Sequence, residues 1–433
     1  MTLIRITNGR IIDPAQNLDR IDDLWIQGNL ILGIGARPDL VADKTFDAAG
    51  KIVCPGLIDM HVHLREPGRE EDETILTGTR AAIAGGVTSV ACMPNTEPPI
   101  DSQADAEFVR MQATRAGFAN VFPIGTISKN REGKELAEIG GLVAGGAVAF
   151  TDDGSPVVSS EIMRRALEYT QMFDKAVLSH CEDLELTRGG VMHEGFESLK
   201  LGLRGMPAAA EEIMVFRDIA LAEMTGGRLH ILHVSTAGSV ELIRQAKQRG
   251  VRVTGEACAH HFCLTDAALR TYDTNFKMAP PLRTQKDVDA ILEGLIDGTL
   301  EVIATDHAPH SPEKKMREFD QTPNGIIGLE TLLPICVVEL IEKKRLAWPQ
   351  LIEKLTINPA KVLSIDRQRG SLHTGKIADV TVVDPQAEWK IDVDKFESKS
   401  RNCPWHGQTV RGRAAAVLVS GNIKSENGRL VTA

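Results

Sequence analysis

A regular alternation of strand and helix patterns through the centre of the chain narrows the fold more than any other feature. Between about residues 55 and 365, short apolar runs rich in Val, Ile and Ala are followed by longer segments of helical periodicity. Strand patterns fall at Val87–Met93, Val121–Gly125, Ala147–Phe150, Ala176–Ser179, Leu229–Leu232, Val251–Thr254 and Val302–Ala304. Helical patterns fall at Ala104–Ala116, Leu136–Ala144, Glu161–Phe173, Glu211–Met224, Val240–Gln248 and Asp287–Ile296. An opening strand runs into Asp59-Met60-His61-Val62-His63. Counting it gives eight strand–helix steps, the arithmetic of an α/β fold closed as a (β/α)8 TIM barrel.

The two ends read differently. Leu3–Ile6, Arg10–Ile12, Asp23–Ile26 and Leu30–Ile34 are short strand patterns broken by turn residues, with Gly28-Asn29 marking a hairpin. Ala378–Val383, closed by Asp384-Pro385, and Ala415–Val419, before Gly421-Asn422, repeat the style at the other end. Strands from both termini can share one small sheet domain. The expected division is residues 1–54 plus 366–433 for that domain and 55–365 for the barrel.

Composition excludes several classes. The formal charge is -10 over 433 residues, so no basic surface argues for nucleic acid. The run Glu342-Lys343-Lys344-Arg345 reads as a solvated helix face. Seven scattered cysteines form no CxxC pair, which fits buried thiols in a reducing compartment. No apolar run approaches the ~18 residues of a membrane span. The N-terminal residues lack a signal-peptide pattern. A cytoplasmic protein is expected.

Polar residues at the strand ends carry the chemistry. His61 and His63 lie two apart on a strand, so both imidazoles project from one face. Asp152 and Asp153 follow Phe150, His180 follows Ser179, His233 follows Leu232, and Asp306 follows Thr305. All lie at C-terminal strand ends, where barrel active sites are built. Four histidines with these carboxylates exceed what one metal needs, since three or four protein ligands suffice for one zinc. The surplus points to two metals close together. His230 should face away from the site. His260 and His261 have no partner at ligand spacing and read as structural, and His193, His373 and His406 receive no role.

These segments resemble the amidohydrolase superfamily and, within it, the type I bacterial dihydroorotases. The resemblance rests on Pro55–Arg65, Met93-Pro94-Asn95-Thr96, Ala149–Gly154, Leu178–Glu182, His233-Val234-Ser235-Thr236, Lys277–Arg283 and Ala304–His310. Gly375-Lys376-Ile377-Ala378-Asp379 resembles the superfamily's return into a β-sandwich domain. The resemblance implies Zn2+, two ions per subunit. His61, His63 and Asp306 would hold one, and His180 and His233 the other. Asp153 stands where related hydantoinases carry a bridging carboxylated lysine. Arg65, Asn95 and His310 are implied to grip a substrate carboxylate, with Asn324 and Gly325 completing the substrate contacts. Ala279 departs from the family, whose members carry asparagine there.

The implied reaction is the reversible interconversion of N-carbamoyl-L-aspartate and L-dihydroorotate in pyrimidine biosynthesis. Metal-activated water would open the ring amide, with Asp306 as the proton carrier. Ser311–Met316 would form a mobile lid. A homodimer and association with aspartate transcarbamoylase are further implications. Two other readings are a hydantoinase- or allantoinase-like cyclic amidase and a non-catalytic homologue that scaffolds the transcarbamoylase. The missing bridging lysine argues against the first, and the retained ligand set against the second.

Overall fold

The computed structural model describes residues 2–431. Its centre is a closed parallel barrel. Leu57–Val62, Val87–Cys92 and Asn120–Pro123 pair in that order. Ala176–Ser179, Arg228–Ile231, Val253–Cys258 and Val302–Ala304 form a second run. Phe150 links the two runs through single bridges to Gly125 and Val177, and Val62 pairs with His307 to close the ring. The strands are buried almost throughout because both faces are covered, as in parallel sheets generally. Ile58, Ala91, Leu178 and Val302 join one buried cluster with Ala360 and Val362.

The fourth strand is therefore shorter than the sequence suggests: Ala147–Phe150 contributes a bridge at Phe150 instead of a regular strand. Its neighbour supplies the reason. Pro123 has no N–H to donate, so it can only accept from Val148 N, and the ladder cannot extend on that side. The sixth strand also sits further along than expected, at Val253–Cys258 instead of Val251–Thr254. The helix Ile75–Gly85, absent from the pattern reading, is stopped and started by local chemistry. Thr74 caps its N-terminus, accepting from Thr77 N, and Gly86 ends it at φ 92°.

Both chain ends meet in one nine-stranded sheet. Ile52–Pro55 lies at its middle, parallel to Leu3–Asp13 and antiparallel to Val380–Lys390. Ile4, Leu24, Ile26, Val53, Val380 and Ala416 share its core. Leu3–Asp13 is one strand through a bulge, with Asn8 at φ 60°. Asp384-Pro385 does not end its strand: Val380–Lys390 runs past it, with a register shift between Asp384 and Glu388. No helix among the described residues is long and apolar enough to cross a membrane.

Candidate metal centre and substrate cavity

The first barrel strand delivers His61 and leads to His63, and the barrel's closure brings five other segments against them. His61 is fully buried. Its Nδ1 donates to Glu256 Oε1 at 2.6 Å, so Nε2 is the nitrogen that faces the centre. That nitrogen is buried with no hydrogen-bond partner and points between two carboxylates, 3.4 Å from Asp306 Oδ1 and 3.6 Å from Asp153 Oδ1. His63 is set the same way. Its Nδ1 donates to Asn95 Oδ1 at 2.9 Å, and Nε2 lies 3.0 Å from Asp306 Oδ1.

Asp153 is the hub. Oδ1 lies 3.2 Å from His180 Nδ1 and 3.4 Å from His233 Nε2, while Oδ2 lies 3.5 Å from His63 Nε2. His180 Nδ1 and His233 Nε2 are 2.9 Å apart, and His180 Nε2 meets Glu182 Oε2 at 3.1 Å. Metal bonds near 2.1 Å at tetrahedral angles separate neighbouring ligand atoms by about 3.4 Å, which is the spacing seen. Three overlapping groups have metal-ligand proximity: His61, His63 and Asp153; Asp153, His180 and His233; and His61, His233 and Asp306. The donor set is oxygen and imidazole, with carboxylate or carboxamide partners behind the rings.

Carboxylates crowd two of the imidazoles. Burial resists charging His61, but Asp306, Glu256 and Asp153 outweigh it and hold the imidazole well above the usual range. Burial likewise resists at His180, where Asp153 and Glu182 push it up to about 10. Against burial, His61, His180 and His233 hold Asp153 well below the usual carboxylate range. Arg65, His233 and Asp306 have positive φ, at 60°, 33° and 47°. Left-handed backbone at non-glycine residues is costly and gathers at functional sites.

Above the centre opens a cavity of about 330 Å³. Arg65, Asn95, His310, Asn324 and Ala279 line it together with the metal-centre residues. Arg65 is buried, and its side chain makes one hydrogen bond among the described residues, from Nε to Pro309 O at 3.2 Å. Burial, with Arg69 adding, pushes its guanidinium down to about 10, so an anion in the cavity would restore what burial removes. Asn95 spends its oxygen on His63. His310 Nε2 donates to Asn324 O at 2.8 Å, which leaves Nδ1 as an acceptor, and burial keeps the ring neutral.

Gly325 does not line the cavity. It stands at φ 155°, where a Cβ would come within 2.6 Å of Ala308 O and 2.8 Å of the His310 ring. It lets the loop pass close under His310. Asp152 is also outside the centre: it accepts from the backbone of Ile127 and Ser128 at 2.9 and 3.1 Å. The Ser311–Met316 segment is a short helix, Pro312–Lys315, tied down at several points. Ser311 N and Lys314 bond Asp72, and Lys315 bonds the carbonyls of Pro323 and Gly325.

Residues 50–239 match a family model described as dihydro-orotase-like. A dihydroorotase of Acetivibrio thermocellus is 51% identical over 418 residues, covering 96% of this chain and 98% of the relative. One of Endomicrobium trichonymphae is 51% identical over 420 residues, covering 97% and 99%. The chain belongs to the dihydroorotase family. Among solved structures, an L-hydantoinase (dihydropyrimidinase) from Arthrobacter aurescens aligns at TM-score 0.89 and 25% identity over 100% of this chain and 98% of that one. A D-hydantoinase (dihydropyrimidinase) from Thermus sp. shares the fold at TM-score 0.83.

Two carboxylates of this dihydroorotase-family site escaped the sequence reading. Glu256 receives His61 Nδ1, His230 Nε2 at 3.2 Å and His233 N at 3.1 Å. Thus His230, although it sits outside the centre, braces the residue that braces His61. Glu182 backs His180. The signal for Glu256 was an acidic residue inside an apolar strand, a placement that needs partners.

Proposed function

We propose that this chain is a type I dihydroorotase: a zinc-dependent cyclic amidohydrolase that interconverts N-carbamoyl-L-aspartate and L-dihydroorotate on the route to UMP. One observation carries the reading. Asp153 lies at the end of the fourth barrel segment, within 3.6 Å of an imidazole nitrogen from each of His61, His63, His180 and His233. No lysine occupies that place. Full-length likeness to proteins named dihydroorotase supports the same reading.

In this reading His61, His63 and Asp306 would hold one zinc and His180 and His233 would hold a second, with Asp153 available as a further ligand. Metal bound there would supply Lewis acidity toward the ring amide carbonyl and would lower the pKa of bound water toward neutrality. The chain's own residues do the rest. Arg65 fixes the substrate carboxylate with its planar fork, which orients the ring over the centre. Asp306 takes the proton of the attacking water and delivers it to the departing ring nitrogen; cyclisation reverses that transfer. His310, expected from the sequence to grip the carboxylate, spends its N–H on Asn324 O and has only the acceptor Nδ1 left, so in this reading it meets a substrate N–H instead. Asn95 keeps the His63 tautomer and has an amide N–H left for the ligand, and Asn324 and Gly325 shape the wall under His310.

The division into residues 1–54 plus 366–433 and residues 55–365, a cytoplasmic location, a homodimer and association with aspartate transcarbamoylase belong to the same proposal. The hydantoinase-like alternative has the TM-score of 0.89 in its favour, which is shape alone. The deciding assay follows dihydroorotate hydrolysis, carbamoyl aspartate cyclisation and hydantoin hydrolysis, each with and without added zinc. Zinc-dependent turnover in both directions on the first pair is expected. Turnover of hydantoin without dihydroorotate would replace this reading with the other.

A further inference from the structure

The sixth barrel strand ends beside two histidines that the centre described above leaves unused. Cys258 closes the strand Val253–Cys258, and the short helix Ala259–Cys263 carries His260 and His261. All three side chains are buried. Cys258 Sγ and one ring nitrogen of each histidine lie within 4.8 Å of one another. The two rings meet edge to face, with centroids 4.3 Å apart.

Their hydrogen bonding is incomplete in a telling way. His260 Nε2 and His261 Nδ1 are buried without a hydrogen-bond partner. An unsatisfied buried polar atom is costly, so two adjacent ones need an explanation. His261 Nε2 donates to Pro280 O at 2.9 Å, which puts the lone pair on Nδ1. A backbone carbonyl fixing the tautomer in this manner is the usual support behind a metal-ligating histidine.

We infer that Cys258, His260 and His261 form a further metal site, separate from the histidine–aspartate centre, for a zinc-like divalent ion. Two imidazoles and a thiolate are a tetrahedral donor set with one position left open. Sulfur among the ligands selects against magnesium and calcium. As the sulfur–metal bond forms, the Cys258 S–H bond breaks and its proton leaves to solvent; both imidazoles bind as neutral donors. Through His261 the site ties the end of the sixth strand to Pro280, next to Ala279 in the cavity wall.

The test uses intact protein saturated with Co2+. The histidine–aspartate centre contains no sulfur, so a sulfur-to-cobalt charge-transfer band reports the new site alone, however many ions the centre holds. The band is expected to grow to one equivalent per chain. Cys258→Ala should abolish it and lower bound cobalt by one equivalent. If that variant does not fold, His261→Gln serves, with the band expected to be lost or sharply weakened. A saturated unsubstituted protein without the band overturns the proposal, as does a band that survives Cys258→Ala undiminished. Failure of the catalytic centre alone would lower total cobalt while leaving the band in place.

Discussion

His61 Nδ1 and Glu256 Oε1 are 2.6 Å apart, with both side chains fully buried. This pair decides which nitrogen of His61 faces the metal centre. Glu256→Gln keeps an acceptor but removes the charge that makes His61 a stronger donor. Partners behind a metal-ligating histidine are worth about 10–100-fold in affinity. A loss of at least about tenfold is expected in a chelator-competition titration. Unchanged metal affinity would show that the charge of Glu256 does not reach the centre.

Asp306 combines contact with His63 and a strained backbone. In Asp306→Asn the amide oxygen still faces the metal, but the side chain no longer takes up a proton. Under metal-replete conditions kcat should fall by roughly 10² or more in both directions, with much of the bound metal retained. Near-normal turnover by metal-loaded Asp306→Asn would send the search for the proton carrier elsewhere.

Arg65 is a buried cation whose terminal nitrogens are left for a ligand. Arg65→Lys substitutes a point charge for a two-pronged donor. KM for dihydroorotate should rise at least about tenfold while metal content stays constant. An unaltered KM would remove Arg65 from carboxylate binding.

Lys315 gives a pH signature. Burial, with Lys277 adding, pushes its ammonium from 10.5 down to about 7, while its Nζ reaches Pro323 O and Gly325 O. Between about pH 7 and 10.5 the unfolded chain carries a proton that the folded chain lacks. Stability from this group therefore rises with pH across that window and is lowest below it. Melting temperatures of unsubstituted protein and Lys315→Met should diverge in favour of the former from pH 7 to 10. A difference that stays flat with pH would mean the ammonium remains in contact with water.

The barrel and most of the centre were legible because their signals are local. His-x-His on a strand, and an aspartate or histidine directly after an apolar run, reveal placement without knowledge of distant contacts. What the chain hid was long-range. Glu256 meets His61 across 195 residues, a contact that exists only once the barrel closes. The fourth strand looked regular, yet Pro123 on its neighbour cut the ladder short. Asp384-Pro385 looked like a stop, but a bulge absorbs it where the strand pairs with Thr409–Val419. Gly325 has a packing role that sequence alone does not show: it yields space to the His310 ring.

The position of Ile52–Pro55 has a consequence for how the molecule is made. One of its edges is met early by Leu3–Asp13, but the other waits for Val380–Lys390. Ribosomal elongation at about 5–20 residues per second leaves that edge open for on the order of tens of seconds, while the entire barrel emerges. An open strand edge invites pairing with other chains. Gly56 N is also held by Asp379 O at 2.8 Å, immediately before the strand that delivers His61. A nascent or truncated chain lacking its last strands thus exposes an open edge directly coupled to the strand that delivers His61.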